Sequence, residues 1–270
     1  MRKFALSLVI TAIFAAVSFA QAQSTIKKVP LSQAETDRII KKFTSNEGLF
    51  RSALGDYNFA RKAIIQTIGM GGNVTGEYRR DSEMIIPPTG TRFEKIVYAP
   101  IDTLTELTIT PEDLEDLGGV NPFALEPSVA DKYNFNYVGK EHIDELDLFV
   151  FDVTPKVMPN PKSGLRLFSG RVWVDDHDLM IVKTKGKAVP EWKNNRFPVV
   201  ETYRENVDGK YWFPTYVYAD DELVFDKGNT VHMRMKVTYT NYKRAHSDVR
   251  ILDDDEKPAP TPTPTPKKPE

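Results

Sequence analysis

The chain is 270 residues long, with 36 basic and 38 acidic side chains, 15 Phe, 11 Tyr and no cysteine. A net charge of −2, with no concentrated basic surface, argues against a nucleic-acid partner. The lack of cysteine excludes disulfides, a thiol nucleophile, thiolate metal sites and a lipid-modified N-terminal cysteine, so an apolar core must hold the fold unaided.

Residues 1–22 read as a secretory signal peptide. Arg2 and Lys3 form a positive start, Phe4 to Phe19 an apolar stretch, and Ala20-Gln21-Ala22 the small-x-small pattern of a cleavage site near Ala22. About 16 apolar residues are short for a membrane span of roughly 20. Cleavage leaves about 248 residues and, with two basic residues gone, a net charge near −4. The expected location is the periplasm. Residues 23–32 read as a leader, 33–252 as one domain and 253–270 as an extended Thr-Pro-rich tail.

Two short amphipathic helices are expected between 33 and 55. Ser32 and Glu35 have capping-box spacing ahead of Ile39, Ile40 and Phe43. Thr44-Ser45-Asn46-Glu47 repeats that spacing ahead of Leu49, Phe50 and Leu54. A first strand follows from Asp56 to Gly69, with Phe59, Ala63 and Ile65 on one face and Ile64 and Ile68 on the other. Glycines at 69–72 make a turn, and the next strand puts Val74, Tyr78, Met84 and Ile86 on one face. Strands are expected at Arg92–Ala99 and Leu104–Ile109. Between Thr110 and Glu126 the pattern breaks into short helical turns, with Thr110 as cap and Pro111 at the first helical position.

Alternation resumes at Tyr133, Phe135 and Tyr137, and Leu146 to Val153 is nearly all apolar. The hairpin 164–188 turns at Asp175-Asp176-His177-Asp178, which sets Val174 opposite Leu179 and Val172 opposite Ile181 on one face. The other face carries Trp173, Met180 and Val182. Both faces are therefore apolar near the turn, and something must cover each. Phe197–Arg204 and Lys210–Tyr218 flank an Asp208-Gly209 turn. In the last strand Val231, Met233, Met235, Val237 and Tyr239 face in. About ten strands in series, with few helices, predict a long antiparallel sheet curled into an unclosed half-barrel, covered by short N-terminal and mid-chain helices.

His142 lies in Glu141-His142-Ile143-Asp144-Glu145 and His177 in the acidic turn. Acid/base or metal chemistry is one reading of each cluster and a solvated hairpin turn the other, since aspartate favours turns and no nucleophile-elbow or zinc-helix motif accompanies them. Asn73-Val74-Thr75 has the form of a glycosylation sequon. Tyr78, Met84, Trp173, Met180, Met233 and Met235 fall on expected inward faces. Methionines adapt to flexible partners, so the six could line an acyl-chain pocket or fill an ordinary core.

Gly170-Arg171-Val172-Trp173-Val174-Asp175, the return Leu179-Met180-Ile181-Val182-Lys183, and Trp212-Phe213-Pro214-Thr215 resemble the LolA/LolB lipoprotein-carrier superfamily over about 33–245. That resemblance implies an unclosed barrel of about eleven strands with helices as a lid over an apolar cavity. It implies acylated lipoprotein or lipid cargo, an inner-membrane exporter, an outer-membrane acceptor, and no cofactor or enzymatic step. An arginine tying lid to barrel is a family feature; Arg61, Arg79 and Arg80 are candidates and none is assigned. The same architecture is similar to periplasmic regulators that bind anti-sigma factors, so an envelope-stress interaction module is the alternative. A hydrolase, needing His142, His177, His232 or His246 to converge with carboxylates, is third.

Overall fold

A computed structural model describes residues 26–87, 90–110, 113 and 125–245. The expected signal peptide, the Thr-Pro tail and nearly all of the mid-chain helical segment lie outside the described residues.

The chain begins with helix α1 (Gln33–Leu54). The Ser32 hydroxyl caps it by accepting the Glu35 N–H at 3.2 Å, while Glu35 pairs with Arg38. The second cap signal is not used as one, and α1 is a single 22-residue helix. Thr44, Asn46 and Glu47 spend their polar groups elsewhere. The Thr44 hydroxyl donates to the Ile40 carbonyl one turn back, Asn46 donates to the Asp178 and Leu179 carbonyls, and Glu47 meets an arginine of the sheet. With these groups satisfied in helical geometry, nothing favours a break.

Ten strands follow: β1 (Tyr57–Ile68), β2 (Val74–Ile85), β3 (Phe93–Tyr98), β4 (Tyr133–Ile143), β5 (Leu146–Pro155), β6 (Leu167–Asp175), β7 (Ile181–Val189), β8 (Val200–Val207), β9 (Tyr211–Val224) and β10 (Thr230–Arg244). A short helix α2 (Pro127–Ala130) precedes β4. All neighbouring pairs are antiparallel, in the order β3-β2-β1-β10-β9-β8-β7-β6-β5-β4, and the sheet does not close into a barrel. Residues 104–109 are not a strand; they run over the concave side of the sheet. At 110, the Asp113 carboxylate accepts the Thr110 N–H at 2.9 Å and the Thr110 hydroxyl accepts the Asp113 N–H, the reciprocal pairing expected of a helix start.

The sheet is strongly curled. Ile65 of β1 and Val172 of β6 stand five strands apart, about 24 Å in a flat sheet, yet both border one internal cavity. Helix α1 crosses the concave face. Its Ile39 and Phe43 pack on Phe149, Phe151, Val172 and Ile181, and its Phe50 and Leu54 on Tyr57 and Phe213. Phe43 and Phe151 rings lie 5.5 Å apart, Phe50 and Phe213 5.8 Å.

The 164–188 hairpin has apolar side chains on both faces, but its register differs from that expected. Val174 pairs with Ile181 and Val172 with Thr184, because the turn runs from Asp175 to Met180 and Val182 is an extra, bulged residue on β7. The Asp175 N–H bonds the Met180 carbonyl, the Leu179 N–H bonds the Asp175 carbonyl, and Leu179 is left-handed at φ 56°. The bulge puts Val182 and Lys183 on the outer face in succession. Trp173, Met180 and Val182, expected to share a face, are divided: Met180 joins the inner core as expected, whereas Trp173, also expected inward, forms an outer cluster with Val182, Leu148 and Val150. On β2, Val74 is exposed and Met84 is buried.

Candidate functional site

Helix α1 fills one end of the concave face. It lies toward the β6–β7 turn, to which Asn46 is bonded, and toward Phe213 beside the β8–β9 turn. The other end is not filled. There a cavity of about 250 Å³ is enclosed by inward side chains of five neighbouring strands, β1, β10, β9, β8 and β7, and by β6. Ile65, Val217, Leu223, Met233, Met235 and Val237 form its apolar wall, and Leu107, Ile109 and Leu125 cover it. Strict alternation along β10 explains the wall: Met233, Met235, Val237 and Tyr239 are buried in succession, with Arg234, Lys236 and Thr238 between them pointing out. Phe168 borders the cavity over Gly186, where a β-carbon would come within 2.6 Å of the ring, so glycine is required for that close approach.

The cavity's polar boundary is an ion pair. Arg204 of β8 holds Glu47 of α1 through two hydrogen bonds of 2.6 and 3.1 Å, and both side chains are 1% exposed. The Phe50 ring covers the guanidinium at 4.4 Å, and the Ile181 carbonyl accepts from it at 3.3 Å. Tyr239 also borders the cavity, and burial, opposed by the nearby Arg61 charge, pushes its pKa up to about 12.

Arg61 itself is 1% exposed on β1 and reaches Glu94 of β3 at 2.5 Å. Burial acts to raise the Glu94 carboxyl, but Arg80, Ser82 and Arg61 outweigh it and hold it below its ordinary range. Arg61 thus ties strand to strand, whereas Arg204 joins helix to sheet by its side chain's pairing with Glu47, and Arg92 does so through the Leu54 and Tyr57 carbonyls. Sequence reading missed Arg204. The available signal was Glu47, an acid inside the Ile39-Phe43-Phe50-Leu54 stripe of α1, which requires a buried partner.

A second, polar cavity of about 1050 Å³ adjoins the first, sharing Leu107, Thr108, Asp113, Arg196 and Leu223 with it. Leu165, Arg166, Trp192, Asn194, Asn195 and Lys227 also border it. An apolar chamber therefore opens into a wider polar vestibule, the arrangement suited to a molecule with an apolar tail and a polar head.

Of the six residues expected to line a pocket, Met233 and Met235 line the apolar cavity. Tyr78, Met84 and Met180 pack within the same inner cluster without bordering it. Trp173 stands apart on the outer face, donating to Glu141 at 2.6 Å with the Lys183 ammonium over its ring. Among the described residues no histidine borders either cavity: His142 pairs with Asp147 at 2.9 Å, His232 with Asp220, and His177 sits in the β6–β7 turn. His246 lies outside the described residues.

No family model and no curated protein matches the chain. Solved structures do. The chain is similar to a LolA superfamily protein from Nitrosomonas europaea, at 14% identity over 75% of this chain and 94% of that one, with a TM-score of 0.32. It is similar to a DUF1329 family protein from Desulfovibrio piger, at 14% identity over 79% and 96%, with a TM-score of 0.35. MucB is similar at 12% identity over 78% and 95%, with a TM-score of 0.25. At TM-scores this low, function has to be read from the chain's own residues.

Proposed function

We propose that the chain is a periplasmic carrier or binding protein for the acyl chains of lipids or lipoproteins, held without covalent chemistry in the cavity bordered by Met233 and Met235. The observation that carries this reading is the unfilled apolar chamber joined to a polar vestibule. Each methylene moved from water into the chamber contributes about 0.8 kcal/mol, so a short stretch of acyl chain supplies several kcal/mol before the costs of binding. The sequence resemblance implies the same class of cargo.

Native mass spectrometry of protein purified gently from the periplasm tests it. The expected result is a co-purifying lipid or lipopeptide. Met233→Trp, which fills the chamber, is expected to abolish retention while the chain still unfolds cooperatively. A wild-type protein that arrives empty and takes up neither diacyl lipid nor lipopeptide would defeat the proposal. The same preparation reveals whether residues 1–22 have been removed.

One observation favours the interaction-module alternative. Edge strand β3 leaves Phe93, Ile96, Val97 and Tyr98 about half exposed, a row open to pairing with a partner's strand. Under that reading Ile96→Lys with Tyr98→Lys removes a co-purifying protein and leaves any bound lipid in place.

A further inference from the structure

The β5–β6 connection (156–166) and the β7–β8 connection (190–199) leave the sheet at the same end. Their strands are neighbours, Leu167 pairs with Val189 where they begin, and the Arg166 guanidinium lies over the Phe197 ring at 4.9 Å. Together the two connections expose Val157 (78%), Met158 (57%), Leu165 (44%), Trp192 (44%) and, next to β8, Val199 (37%). Scattered apolar side chains at a surface are ordinary, but five on two adjoining loops make a patch. Lys156, Lys162 and Lys193 stand exposed among them.

The only acid in these two connections is Glu191, which already faces Lys187 at 3.1 Å and Arg196 at 3.8 Å. Of the other acids at this end, Asp226 pairs with Arg196 at 2.5 Å and Glu126 with Arg51 at 2.7 Å, Glu106 and Asp113 border the vestibule, and Asp131 stands exposed beside Lys132. At the opposite end the turns at 144–145, 175–180 and 208–210 hold six acids and one lysine, and Asp56, Arg92, Lys243 and Arg244 beside them leave that end net acidic. Leu165 and Trp192 belong to both the patch and the vestibule wall, so the patch lies beside the entrance to the cavities.

We propose that this end of the sheet is a membrane-docking rim. Val157, Met158, Leu165 and Trp192 enter the headgroup region of an anionic bilayer, and Lys156, Lys162 and Lys193 hold its phosphates. Tryptophan suits that boundary because its ring is apolar and its N–H needs a polar partner. Each lysine within a Debye length of an anionic leaflet strengthens attachment by about fivefold. The acidic far end is repelled, which orients the molecule with its entrance against the membrane. The rim does not rest on what fills the cavity.

The test is flotation of the protein, as the cell processes it, with vesicles of phosphatidylcholine alone or containing phosphatidylglycerol. Binding is expected only with phosphatidylglycerol, falling steeply with added salt. Lys156→Gln, Lys162→Gln and Lys193→Gln together are expected to lower partition by about a hundredfold. Val157→Ser, Met158→Ser and Trp192→Ser together are expected to abolish it. Lipids with brominated acyl chains should quench tryptophan emission, and Trp192→Phe should remove that quenching. All six side chains are exposed, so both triple variants should keep the wild-type urea midpoint. They should also keep any lipid seen by native mass spectrometry, which separates failure of the rim from failure of the cavity. Absence of binding, equal binding to neutral vesicles, or unchanged binding by the triple variants overturns the proposal.

Discussion

The two ends of the concave face belong to the same sheet and differ in what lies on them. Under α1, Phe43 meets Phe151 and Phe50 meets Phe213 ring to ring, and all four side chains are buried. Beyond the Glu47–Arg204 pair the same sheet presents Met233, Met235 and Leu223 to a cavity of about 250 Å³. Both ends present buried apolar side chains on the inner face, so patterning does not decide which end is solid. The decision lies in the covering segment: a 22-residue helix with a continuous apolar stripe on one side, and the irregular run Leu107 to Ile109 on the other. A sheet of this curvature yields a core where a helix seats in it and a chamber where, among the described residues, none does.

The largest expected effect comes at the boundary between the halves. Glu47→Ala leaves the Arg204 guanidinium buried without its carboxylate and should destabilise the chain by about 3–5 kcal/mol, read as a lowered urea midpoint. Glu47→Met with Arg204→Met should recover most of that loss; if it does not, the pair contributes more than mutual neutralisation. Next is the contrast between the halves themselves. Phe43→Ala should cost about 3–5 kcal/mol, and Met235→Ala, whose surroundings already include empty space, about 2 kcal/mol. Equal costs would mean that the chamber is packed as tightly as the helix-covered end.

The smallest effect belongs to the outer face, away from both halves. Burial acts to raise the Glu201 carboxyl, but hydrogen bonds from Lys185 and Tyr203 and the charges of Lys183 and Lys185 outweigh it and bring the pKa to about 2, from an ordinary 4.5. Its folded pKa is depressed, so its stabilisation is complete above pH 4.5 and disappears as pH falls toward 2. Glu201→Gln should flatten that acid limb of the stability curve, with little change in the difference between Phe43→Ala and Met235→Ala.

The strands were legible because alternation survives wherever one face is buried. Val231 to Tyr239 shows this best, since all five inward residues named from the pattern are buried. The register at 175–182 was not legible. It depends on Leu179 taking a left-handed conformation and on the extra Val182, neither of which changes the hydrophobic pattern enough to be read. Helix α1 was misread as two because Thr44 to Glu47 has the chemistry of a cap. Asn46 and Glu47 answer to partners more than 130 positions away, Asp178, Leu179 and Arg204, and local spacing holds no record of them. The methionines of β10 were found at the cavity from alternation. Trp173 was placed inward because a strand with two apolar faces offers no rule for choosing between them.

The sheet order has a consequence for how the molecule is made. The first strand, β1, pairs with the last, β10, from Tyr57↔Arg244 to Ile68↔His232, so the middle of the sheet joins segments at opposite ends of the chain. Until β10 arrives, β3-β2-β1 and β9 through β4 are two separate ribbons with open edges, and neither encloses the chamber. Closing so long a loop is slow relative to local pairing. A newly made chain would therefore pass through a stage with β1 and β9 both unpaired, the interval in which a chaperone would have most to protect.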